Sequence, residues 1–114
     1  MSQKSSSQML KGILSGSILM LLADEALYGY TLSEKLAEFG FDQVPKGTIY
    51  PLLLTLEKKG LIEGRMRPSS DGPQRKYYFL TADGRVEKEQ FITQWQQLKT
   101  SVDTLIERDG KHEN

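Results

Sequence analysis

Between residues 44 and 76 this 114-residue chain carries seven basic side chains against three acidic ones. Lys46 and Lys58 bracket a helical run that also holds Gly47, Thr48, Tyr50 and Thr55. Arg65 and Arg67 precede, and Arg75 and Lys76 follow, a small polar stretch, Pro68-Ser69-Ser70-Asp71-Gly72-Pro73. Ammonium, guanidinium and hydroxyl groups in this mixture donate hydrogen bonds to phosphate oxygens and to base edges. The segment stands at +4 while residues 1–43 and 77–114 stand at −2 each, so a net charge of zero conceals a basic middle. The competing reading is an ordinary solvated face, because charged surfaces are common.

Other chemistries find little support. The chain has no cysteine and one histidine, His112, in a polar carboxyl end, which removes thiol chemistry, disulfides and nearly every zinc arrangement. No nucleophile and base, carboxylate pair or metal cluster stands out, so an enzyme is the weakest reading and no cofactor is expected. No apolar run approaches the ~20 residues that span a bilayer, and the amino end has no signal-peptide pattern. The expectation is a soluble, cytoplasmic protein without membrane contact.

The elements that must position the basic groups are legible from periodicity. The length suits one domain. Serine-rich residues 1–8 read as a flexible tail. From Met9, Leu10, Ile13, Leu14, Ile18, Leu21 and Leu22 recur at three and four residues and predict a helix to about Ala23. Gly12 and Gly16 each cost that helix roughly 1 kcal/mol, which suggests close packing on another helix. Tyr28-Gly29-Tyr30 reads as a connection, and Thr31-Leu32-Ser33-Glu34 has capping-box form, predicting a second helix to about Phe39 with Gly40 ending it. A third helix closes at Gly60. Leu61 to Arg67 and Lys76 to Leu80 have strand character and should pair as a hairpin. Thr81 is a plausible cap for a final helix over residues 82–108, with 109–114 as a second tail.

On the third helix, Ile49, Leu52, Leu53 and Leu56 project onto a core arc, while Thr48, Pro51, Thr55 and Lys58 are displaced from it. With Gly47 or Thr48 as cap, Pro51 falls at the third or fourth position and loses at most one backbone bond. Gly47, without a side chain, allows the helix amino end to approach a phosphate, which the helix dipole favours. The alternative is that both residues merely shape the turn.

Three helices followed by a two-stranded hairpin is the order of a winged helix-turn-helix, in which the third helix enters the major groove and the hairpin lies along the backbone or minor groove. The fold class expected is therefore mainly α with a small β-hairpin (α+β). Residues 9–81 would form the DNA-binding domain and residues 82–108 a long C-terminal dimerisation helix. Phe91, Trp95, Leu98, Val102 and Leu105 on that helix are spaced as a heptad seam, and a helix of this length, ~37 Å, outreaches so small a core. Pairing with a second copy is expected.

Gly29-Tyr30 with Leu32 and Leu36, then Gly47-Thr48-Ile49-Tyr50-Pro51-Leu52-Leu53, Leu56-Glu57-Lys58-Lys59-Gly60-Leu61-Ile62 and Arg75-Lys76-Tyr77-Tyr78-Phe79-Leu80-Thr81 with Gly84 together resemble the PadR family of transcriptional regulators. The resemblance implies a winged-helix homodimer joined through terminal helices that binds double-stranded operator DNA, usually as a repressor. It also implies the short subgroup with one C-terminal helix. Carried over by position, DNA contacts fall on Lys46, Thr48, Tyr50, Arg75 and Lys76. The helix and hairpin patterns add Gly47, Thr55, Lys58, Arg67, Ser69 and Ser70. Tyr50 is open between packing and phosphate contact. Leu54, where the family often has a polar residue, is open between a thymine methyl and an exposed apolar group.

Trp95, the sole tryptophan, suits either an interface anchor or an effector site. Some drug-responsive relatives carry a tryptophan there that sandwiches flat aromatic molecules, with Phe91, Lys99 and Ser15 as the corresponding walls in this chain. Lys99 stands where an acidic neighbour would suit cations. The remaining rival to DNA binding is a winged-helix module that binds a protein instead.

Overall fold

Leucine and isoleucine at helical spacing drive the first element, helix α1, which runs Ser2–Asp24. Its Leu14, Ile18 and Leu22 are buried, as is Leu19 beside them. The computed structural model describes the backbone of residues 2–70 and 72–112 and the side chains of residues 9–70 and 72–110. Residues 2–8, for which composition predicts a tail, lie within the bounds of α1; Met1, Asp71 and the last two residues lie outside the described ones, as does the His112 side chain.

The chain continues through strand β1 (Leu27–Tyr28), helix α2 (Gly29–Leu36), a wide π-helical turn (Ala37–Phe41), helix α3 (Lys46–Lys58), strands β2 (Ile62–Ser69) and β3 (Gly72–Leu80), and helix α4 (Ala82–His112). The three strands form one antiparallel sheet in the order β1-β3-β2. The core gathers Leu32 and Leu36 of α2, Ile49, Leu53 and Leu56 of α3, and Leu27, Ile62 and Tyr78 of the sheet against α1. The fold is mainly α with a small sheet, and a long C-terminal helix extends from it.

Three local expectations change. The stretch 28–30 is not a free connection: Leu27 and Tyr28 pair with Tyr78 and Tyr77, and the chain passes straight from strand to helix. Consequently α2 begins at Gly29 with Tyr28 as its cap residue, and there is no capping box. Thr31 lies in the first turn, where its hydroxyl donates to the Tyr28 carbonyl at 3.0 Å. A long-range strand pair thus overrides a local signal. Gly40 adopts φ +103° and ends the helical path, as its missing Cβ permits.

Helix α3 also begins earlier than expected, at Lys46, because Pro45 is already extended at φ −66°, ψ 146° and directs the chain into the helix. The Thr48 amide tightens the first turn by donating to the Pro45 carbonyl at 2.9 Å. Pro51 is therefore the sixth helical residue, and the bond it cannot make is the one to the Gly47 carbonyl. Both residues are exposed, so water can serve that carbonyl. At the other end the Leu61 amide donates to Leu56 and the Gly60 amide to Glu57, each at 3.0 Å, with Gly60 at φ +78°. This is a Schellman stop.

The hairpin is tighter than its turn-forming composition suggests. Ser69 pairs with Gly72, and the register slips between Arg67 and Ser69, so that Pro68 alone faces a bulge of Pro73 and Gln74 and has no paired partner in the ladder. Thr81 caps α4 as expected, accepting from the Gly84 amide at 3.0 Å and donating to the Gly60 carbonyl at 2.7 Å.

Of the two α1 glycines, only Gly16 is demanded by packing. A Cβ there would collide with the Phe91 ring of α4, whereas one on Gly12 would meet open space.

Candidate nucleic-acid interface

Strand register decides which basic groups of the hairpin act together. Cross-strand partners share a face, so Glu63 with Phe79, Arg65 with Tyr77, and Arg67 with Arg75 lie on one side of the sheet. Ile62 with Leu80, Gly64 with Tyr78, and Met66 with Lys76 lie on the other. Tyr28, paired with Tyr77, extends the first face. Each arginine of that face stands over an aromatic ring. Arg75 is 4.6 Å from the Tyr28 centroid, Arg67 4.9 Å from Tyr77 and Arg65 5.0 Å from Phe79. Arg75 also donates to the Tyr28 hydroxyl at 2.9 Å. Two guanidinium groups directly opposite on neighbouring strands repel. The rings offset part of that repulsion, and an anion against this face would reverse it.

The aromatic surface continues to α3. Tyr28 meets Tyr77 edge-on at 5.2 Å and stacks with Tyr30 at 6.4 Å. The Lys46 ammonium, at the first position of α3, sits 4.6 Å over the Tyr30 ring. The Tyr30 hydroxyl is hydrogen-bonded to Glu34, whose carboxylate raises the phenol above its ordinary value and keeps it protonated. Lys46, Arg75 and Arg67 are thus held along one ladder of tyrosines from the helix amino end to the hairpin.

On α3 itself Gly47 is exposed, and a Cβ there would meet nothing in the chain, so no internal packing calls for glycine. Thr48 is half-buried beside it, and Lys58 is exposed at the far end. The hydroxyl end of the Tyr50 ring lies against Gly29, where a Cβ would strike it, while the residue as a whole remains 45% exposed. Leu54 points to solvent. Thr55 donates its hydroxyl to the Pro51 carbonyl at 3.0 Å, leaving only lone pairs for a partner. At the hairpin tip the Ser69 hydroxyl donates to the Pro73 carbonyl at 2.7 Å, and Ser70 is exposed.

Lys76 departs from the group. Adjacent strand residues face opposite sides, so it points away from Arg75 and towards α3, where its ammonium meets the Glu57 carboxylate at 2.8 Å.

The seam of α4 is largely uncovered. Phe91 packs on Gly16, but Trp95, Leu98, Val102 and Leu105 are 43%, 61%, 51% and 62% exposed. Between α1, the π-helical turn and α4 lies a cleft of about 420 Å³ lined by Ile13, Ser17, Met20, Leu21, Asp24, Leu36, Phe39, Phe41, Phe91 and Trp95. Ser15 and Lys99 do not line it. Helical spacing turns Ile13 and Ser17 to the cleft instead of Ser15, and Lys99 is paired with Asp103 at 2.7 Å one turn along α4. The one carboxylate that lines the cleft is Asp24, supplied by α1.

Tyr28, Tyr30, Tyr77, Asp24 and Glu57 are absent from the sequence-derived site. The tyrosines could have been suspected from their density near Gly29 and in β3; Asp24 and Glu57 carry no local signal. Among the described residues no cluster of His, Asp or Glu is placed to hold a metal, and no helix is long and apolar enough to cross a membrane.

Comparison with known proteins identifies the family. The family profile described as transcriptional regulator PadR-like matches residues 18–90. A PadR-like transcriptional regulator from Bacillus cereus is 48% identical, covers 87% of this chain and 96% of its own, and superposes with a TM-score of 0.79. A Streptococcus transcriptional regulator is 46% identical over 86% of this chain and 96% of its own, also at 0.79. An uncharacterised protein of Lysinibacillus sphaericus is 31% identical across 89% of this chain and 94% of its own length. The fold, the motifs and the extent of these matches agree: the chain belongs to the PadR-like family and is a DNA-binding transcriptional regulator, not an enzyme.

Proposed function

We propose that the chain acts as a homodimeric repressor that reads a palindromic operator and is released by a flat aromatic molecule bound beside the dimer seam. The observation that carries the DNA part is the tyrosine ladder holding Lys46, Arg75 and Arg67 along one surface. Residues 9–81 form the reading head. The amino end of α3, with Lys46, Gly47 and Thr48, approaches phosphate, and Tyr50, Thr55, Leu54 and Lys58 face the groove. Arg67, Arg75 and the Ser69-Ser70 tip follow the neighbouring backbone and supply affinity more than sequence choice.

Residues 82–108 pair the copies through Phe91, Trp95, Leu98, Val102 and Leu105. A palindrome follows from twofold symmetry, its half-sites ~34 Å apart. The cleft under Trp95 opens onto this seam. Four aromatic side chains with one carboxylate, Asp24, suit a planar aromatic cation. Such a ligand changes the separation of the two α3 helices, and release needs only different affinities for the two spacings.

Selection of bound duplexes from a random DNA pool at physiological salt tests the central reading. Recovery of a two-half-site palindrome supports it; binding without any sequence preference removes the operator. Titration of planar aromatic cations against Trp95 fluorescence tests the effector, which a flat response across a broad panel eliminates.

A further inference from the structure

The Glu57–Lys76 pair joins the last turn of α3 to the middle of β3, beyond the buried contacts that Leu53 and Leu56 share with Ile62 and Tyr78 at the base of the sheet. Its seat is specific. A Cβ on Gly64 of β2 would collide with the Lys76 stem and press on the Glu57 carboxylate, so the pair lies in a slot that exists because residue 64 has no side chain. Both side chains are well covered for surface ions, at 38% and 30% exposure. The ammonium also lies 5.4 Å from the Tyr78 ring centroid, and that ring belongs to the core. One end of the bridge is thus anchored to the packed sheet and the other to the reading helix.

Strand alternation separates this group from the other hairpin cations. Arg67 and Arg75 share one face of the sheet and Lys76 has the other. A single phosphate ridge cannot be met by both faces in the same way.

We infer that Lys76 is a strut, not a phosphate contact: with Glu57, across the Gly64 slot, it sets the angle between the hairpin and α3 and so positions Arg67 and Arg75. This rests on the DNA-binding reading above and reassigns Lys76, which the family resemblance places among the DNA contacts.

The two roles predict opposite signs. If Lys76 binds phosphate, Glu57 competes for it, and Glu57→Gln tightens binding. As a strut, the same change loosens the hairpin and weakens binding by up to about fivefold, the upper range for an exposed ion pair. Lys76→Gln weakens it by a similar factor. The salt dependence separates the roles further. Loss of a phosphate contact lowers the slope of log K against log salt by ~0.9, whereas loss of a strut leaves it unchanged.

The full-length protein is titrated against a labelled mixed-sequence duplex between ~50 and ~200 mM salt, with thermal melting to confirm folding. A charge-swapped variant, Glu57→Lys with Lys76→Glu, completes the set. The expected result is weaker binding by both single variants, the wild-type slope, and recovery in the swap. Tighter binding by Glu57→Gln, or a reduced slope for Lys76→Gln, overturns the strut. Absence of DNA binding by the wild-type protein overturns the underlying reading instead, so the two failures are distinct.

Discussion

Truncating Leu98 to alanine should separate the two copies without unfolding either. In the single chain Leu98 is 61% exposed, so about two-thirds of the benefit of burying it is still to be gained. Full burial of a leucine side chain is worth ~1.5–3 kcal/mol, which leaves about 1–2 kcal/mol for the contact with a second chain. A twofold interface uses the residue twice, so Leu98→Ala should cost about 2–4 kcal/mol of dimer, or roughly 30-fold to 1,000-fold in the dissociation constant. Sedimentation equilibrium over a dilution series measures this directly. Because the side chain touches little of its own chain, the melting temperature of the diluted, monomeric variant should match that of diluted wild type. A variant that dissociates no more readily than wild type would refute the seam. So would a wild-type protein that is monomeric at all concentrations tested. Equal losses of monomer stability and association would show instead that Leu98 belongs to its own core.

Arg75→Gln should weaken binding to every DNA sequence alike and lower the salt slope by ~0.9, read by fluorescence anisotropy at several salt concentrations. Gly16→Val should destabilise the fold by about 1–3 kcal/mol in chemical denaturation, because its side chain would occupy the space of the Phe91 ring; Gly12→Val, which faces open space, should cost the fold no packing. Glu57 raises the Lys76 ammonium above its ordinary value. The folded state therefore holds that proton more tightly than the unfolded one. The resulting stabilisation is fully present below the ordinary lysine value and lost as pH rises through the higher folded one. Glu57→Gln should flatten this alkaline limb in melts across the high-pH range, and an unchanged limb would argue against the bridge in solution.

Helices, hairpin and their order were legible because each rests on local periodicity and punctuation. Leu14, Ile18 and Leu22, the leucine face of α3, Gly40, Gly60 and the Thr81 cap all behave as their immediate neighbours dictate. The misreadings arose where distant parts meet. The Thr31-Glu34 capping signal was real in composition, but pairing of Tyr28 with Tyr77 started the helix three residues earlier. Arg75 and Lys76, neighbours in the chain, looked like one patch until register turned them to opposite faces.

The sequence by itself therefore determined the architecture and the family, because burial patterns and turn chemistry are written within a few residues of where they act. Which cations form one surface, that Tyr28, Tyr30 and Tyr77 carry them, that Asp24 rather than Lys99 lines the cleft with Trp95, and that Glu57 holds Lys76 were decided only by the tertiary structure. Those facts depend on strand register and on helices crossing from far apart in the chain. A single residue's shift in pairing would exchange every one of the sheet's faces, and nothing local records that choice.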